Sequence, residues 1–148
     1  ASRSPWRSAG SAIVAAAGVW AEGVAAEPPS DEARLACRRE AAPGRVLCEL
    51  EVEVTRGRLA WADALVERTP EFARALRSRV GPRSATGGTA RRLRLPLALA
   101  ATSTGQGELG VRARWVACAP LATGRELCSP RTRMLSARVE VGSDSAGR

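Results

Sequence analysis

The chain contains no lysine, no histidine, no tyrosine and no asparagine, and only one phenylalanine and one methionine. Without histidine there is no Ser-His-Asp or Cys-His catalysis and no His-ligated metal. Aromatic residues make up 3% of the chain. That is too few for a single-strand nucleic-acid surface built on base stacking. Long apolar runs are missing too. The stretch from Ala9 to Ala21 is far shorter than the roughly 20 apolar residues a spanning helix needs. All 23 basic residues are arginine, against 15 acidic ones, for a net charge of +8. Such a charge permits an anionic partner. The arginines are nevertheless spread along the chain without a basic cluster, so no nucleic-acid partner is expected. The 148 residues suffice for one domain with tails.

The first segment reads as an address. Arg3 and Arg7 precede the short apolar run, and Val24-Ala25-Ala26 leads into the polar Glu27-Pro28-Pro29-Ser30. A basic start, a short apolar stretch and small residues three apart describe a secretory signal, cleaved after Ala26 or after Ala21. The expected organisation is therefore a signal segment over 1–26, one domain over 27–141 and a polar tail over 142–148. Losing the first 26 residues leaves a net charge of +7.

Most of the chain beyond that segment alternates. Cys48, Leu50, Val52 and Val54 fall on one side, and Glu49, Glu51 and Glu53 on the other. This period of two is a half-buried strand, and the three glutamates read as its solvated face. Leu93, Leu95, Leu97 and Leu99 alternate with Arg92, Arg94, Pro96 and Ala98; Pro96 removes a ladder donor and suggests an edge or a bulge. Leu109, Val111, Ala113 and Trp115 oppose Arg112 and Arg114, and Leu135, Ala137, Val139 and Val141 form a last strand. The pattern predicts an all-β sandwich. Leu59 to Val66 fits either a strand or the start of a helix. Pro70 to Val80 reads as a loop with a helical turn. Gly105-Gln-Gly107-Glu-Leu-Gly110 matches a dinucleotide fingerprint in letters only; no helix pattern succeeds it, so it reads as a hairpin connection.

Chemistry, if present, belongs to the four cysteines. They form two local pairs, Cys37/Cys48 and Cys118/Cys128, although four cysteines allow three connectivities. Zinc fits poorly, because ten and nine residues intervene where structural zinc pairs sit about two to four apart. In an exported protein disulfides are expected. Cys37/Cys48 reads as a structural staple worth about 2–3 kcal/mol. Cys118/Cys128 has two readings. One is a second staple. The other is an exposed redox pair, since alternation places Cys118 outward and Arg112, Arg114, Arg125 and Arg131 lie nearby in sequence. Positive charge favours the thiolate, the attacking species in exchange.

The order of motifs from Glu71 to Val141 is Glu71-Phe72, Arg92-Leu93-Arg94-Leu95-Pro96-Leu97, Gly107-Glu-Leu109-Gly-Val111, Cys118, Cys128-Ser129-Pro130-Arg131-Thr132 and a final strand. In that order the segment resembles the N-terminal periplasmic domain of the DsbD thiol:disulfide interchange family. The resemblance implies an immunoglobulin-like fold and a catalytic pair at Cys118 and Cys128. It implies a cap loop at Glu71 and Phe72 that shields the pair. It also implies thioredoxin-like periplasmic partners and a membrane electron donor, with no cofactor and no metal. The competing expectation is a non-enzymatic, disulfide-stapled immunoglobulin-like binding or structural module of a secreted protein.

Overall fold

A computed structural model describes residues 31–142. The expected signal segment and nearly all of the polar tail lie outside the described residues. Nine strands build two antiparallel sheets, and the only helical piece among the described residues is one 3-10 turn at Pro82–Ser84. Sheet A contains β1 (Glu32–Cys37), β2 (Gly44–Glu53), β7 (Arg92–Ala101) and β4 (Ala73–Ala75) in that order, with β6 (Gly87–Gly88) also pairing with β7. Sheet B runs β5 (Arg79–Val80), β3 (Arg58–Arg68), β8 (Gly105–Pro120), β9 (Glu126–Val141). This order is that of the immunoglobulin sandwich, four strands against three with an added edge strand.

The period of two explains the core. Val46, Cys48, Leu50 and Val52 of β2 and Leu95, Leu97 and Leu99 of β7 face Ala62, Ala64, Leu109, Val111, Ala113, Trp115 and Val139 from the other sheet. All are buried. Small residues on β3 sit in the same layer as Trp115, whose indole fills the space the alanines leave. Its N–H donates to the Asp31 carboxylate at 3.0 Å, so the buried polar group is satisfied.

Leu59 to Val66 is strand β3, and the reason its pattern is ambiguous is a bulge. The register jumps between Leu59 and Trp61, so the faces swap partway along the strand. Residues 70–80 form a loop with two short strands, and the helical turn comes just after it. Pro96 lies on an internal strand. Its β7 neighbours Arg94 and Ala98 accept bonds from Thr86 and Leu76 through carbonyls aimed away from β2. The missing Pro96 donor points the same way, into the gap between β6 and β4, where no partner waits for it.

The glycine-rich run is not a hairpin connection; it is the start of β8 itself. Its spacing makes room. A Cβ on Gly105 would come within 2.8 Å of the Phe72 ring, and one on Gly107 within 2.8 Å of Pro70. Phe72 and Pro70 thus close the end of the core where β8 begins.

Candidate functional site

Both cysteine pairs are disulfides, Cys37–Cys48 and Cys118–Cys128, and no free cysteine occurs among the described residues. Each pair joins directly opposed residues on neighbouring antiparallel strands, with Cα atoms 3.9 Å apart. Each also involves an edge strand, β1 in sheet A and β9 in sheet B. Neither connects the two sheets.

The pairs differ in the face they occupy. Cys48 belongs to the core cluster, and half-buried Cys37 packs against it. Cys118 lies on the outer face of sheet B, outside that cluster. It is nevertheless only 1% exposed, while Cys128 is exposed. Outward placement of Cys118 agrees with the alternation in the sequence. Its burial has a local cause. Arg58 of β3 stands opposite Cys118, and Glu126 precedes Cys128 by two residues on β9, so all four side chains share one face. Arg58 donates to Glu126 through Nε at 2.9 Å and through an Nη at 2.8 Å. Because β8 runs between β3 and β9, this forked pair crosses β8 beside Cys118. The hydrogen bond from Arg58 holds the Glu126 carboxyl below its usual range, and the carboxylate in turn raises Arg58. Glu126 is therefore ionised at neutral pH.

The floor of the site is equally constrained. Gly57 has φ of +75° in the turn between β2 and β3, and a Cβ there would overlap the carbonyl oxygen of Cys118. Only glycine combines that backbone conformation with so close an approach.

A ligand atom of Glu126 lies within 4.8 Å of both sulfurs, making Cys118, Glu126 and Cys128 the one metal-type cluster among the described residues. With the sulfurs joined to each other, neither is a thiolate ligand.

Three arginines that adjoin the pair in sequence are engaged elsewhere. Arg112 holds Glu67, Arg131 holds Asp31, and Arg114 holds Asp63. Asp63 is wholly buried on sheet B and is gripped by Arg114 at 2.6 Å and 2.9 Å and by Arg79 at 2.8 Å. Burial pushes its carboxyl up, but the hydrogen bonds from Arg114 and Arg79 outweigh that and hold it below the usual range. The cation nearest the disulfide is Arg58, which no pattern around the cysteines singles out. The usable signal is modest: Glu126 and Cys128 are two apart on a strand and so share a face.

The expected cap loop is not brought to the cysteines. Phe72 packs against Gly105, at the far end of β8 from Cys118, and that strand spans roughly 40 Å between the two positions. Glu71 is exposed in the same turn. Phe72 serves the core, and the shielding of Cys118 comes from Arg58 and Glu126.

No family model, no curated protein and no solved structure matches this chain.

Proposed function

We propose that this domain exchanges disulfides with thiol partners in an oxidising compartment, through Cys118 and Cys128. The observation that carries the reading is the asymmetry of the outer pair, with an exposed Cys128 beside a covered Cys118. An incoming thiolate reaches only Cys128. The sulfur–sulfur bond then breaks, a mixed disulfide forms on Cys128, and Cys118 departs as a thiolate beside Arg58. The reverse sequence passes electrons onward, with Cys118 resolving the mixed disulfide. Thioredoxin-like proteins of the periplasm or cell exterior are the partners this chemistry suits, with a membrane-bound donor supplying electrons. Two disulfides fit such a location.

The test is the reduction potential of each disulfide, found by equilibration in graded thiol buffers followed by mass mapping. The reading expects Cys118–Cys128 to open in the range of thioredoxin-like carriers while Cys37–Cys48 stays closed. If both resist reduction below about −300 mV, as structural secreted disulfides do, the exchange reading fails. The second reading, a stapled binding module, would then hold. Its specific support is that Phe72 lies far from the pair, so the loop the resemblance implies does not guard it.

A further inference from the structure

The open edge of β9 bears on what reacts with Cys128. Glu40 bonds to the end of this edge: its N–H donates to the Glu140 carbonyl, and its carbonyl accepts from the Gly142 N–H. Even-numbered residues of β9 therefore point their main-chain groups outward. The β8–β9 register runs without a shift from Val141 back to Glu126, so the same parity holds at Cys128. Its own N–H and C=O face the open edge. Pro130, which has no N–H, occupies an even position where none is needed within the sheet. Among the described residues no main-chain bond reaches Cys128, Thr132, Met134 or Ser136 from that side.

We infer that Cys128 is served by β-strand addition: an extended, cysteine-bearing segment of a partner protein pairs antiparallel with the β9 edge. This rests on the exchange reading above. Opposite Cys128, in a pair that exchanges both main-chain bonds, the partner residue's side chain emerges on the same face about 5.5 Å away, Cα to Cα. A cysteine there extends a row that already runs Arg58, Cys118, Cys128 across the sheet. Its sulfur, Cys128 Sγ and Cys118 Sγ then lie nearly in line. That is the arrangement displacement at sulfur requires: the partner thiolate, its proton already lost to solvent, attacks Cys128 Sγ; the bond to Cys118 breaks; and its electron pair leaves on Cys118 Sγ. The inner pair offers no such approach, because a strand added beside Cys37 would direct the matching side chain toward the core. Exposed Leu127 and Arg125 flank the site, which favours a segment carrying an apolar residue and an acid near its cysteine.

The experiment uses the oxidised full chain and three thiols: glutathione, a synthetic peptide Thr-Glu-Val-Cys-Val-Glu-Thr, and that peptide N-methylated at its cysteine. The methyl removes the donor to the Cys128 carbonyl and leaves the thiol unchanged. The plain peptide should react with Cys128 about tenfold faster than its methylated twin, the scale of one or two lost hydrogen bonds. Thr132→Pro should bring the plain peptide down toward the twin's rate, with circular dichroism confirming the fold. If glutathione opens Cys118–Cys128 but the two peptides react equally, exchange stands and strand addition is overturned. If none of the three thiols opens the pair, the exchange reading falls and takes this inference with it.

Discussion

The two disulfides are near twins in construction and opposites in setting. Each closes a loop of about ten residues, sequence separations of 11 and 10. Each ties an edge strand to its neighbour. Cys37–Cys48 faces the core among leucines and valines, whereas Cys118–Cys128 faces outward among Arg58, Glu126 and water. Connectivity is therefore a poor guide to what a disulfide does. The face of the sheet decides whether a sulfur is packing material or a reactant.

Replacing each pair by alanine tests the twin half of that comparison and should give the largest effect. Similar loops should cost similar chain entropy, about 2–3 kcal/mol each. Cys37→Ala/Cys48→Ala should cost about 1 kcal/mol more, because Cys48 also leaves a space in the core. Urea unfolding of both double variants measures the difference; equal losses would mean the inner pair contributes nothing as packing.

The rate of opening by reduced glutathione, followed by mass mapping, tests the opposite half. The outer pair should open about 100-fold faster, since the inner one reacts chiefly after local opening of β1. Equal rates would erase the distinction.

Acid should weaken the outer face of sheet B before the inner pair feels it. The Asp63 carboxyl is held below its ordinary value. Its contribution is complete above the unfolded value of about 3.9 and is lost as pH falls through the lower folded value. Melting temperature should therefore hold level with respect to this group from neutral pH to about 4, then drop. Asp63→Asn should cost about 2 kcal/mol at neutral pH, less than a sealed ion pair because both arginines reach solvent, and should remove part of that acid limb.

The smallest effect is expected from Glu126→Gln. It removes a negative charge within 4.8 Å of both sulfurs and frees Arg58. A departing Cys118 thiolate is then less disfavoured, so glutathione should open the outer pair about threefold faster at constant pH, with the inner pair unchanged. Slower opening would show that the carboxylate assists the exchange.

The parts of the fold governed by local alternation are legible in the sequence. β2, β7, β8 and β9 each announce a buried face, and the β8 pattern places Cys118 outward. β3 is blurred because its bulge falls in the middle of the pattern and inverts it. Contacts between distant residues leave less trace. Arg58 and Glu126 are 68 positions apart, and nothing local says that β3 and β9 flank β8. The glutamates of β2 read as a solvated face. In the folded protein Glu51 lies between Arg34 on β1 and Arg92 and Arg94 on β7. Motif order assigns Phe72 to the cysteines, but the glycines at 105 and 107 make its place at the other end of the strand.

Neither disulfide bridges the sandwich, and this bears on the order of events in the protein's life. The hydrophobic seam between the sheets is made by Leu50, Leu95, Leu109, Val111 and Trp115, none of which waits on a sulfur. Collapse can precede oxidation, and a chain emptied of both bonds keeps the layer that defines its shape. A carrier that alternates between two oxidation states needs such independence, because its architecture must outlast every turn of the cycle.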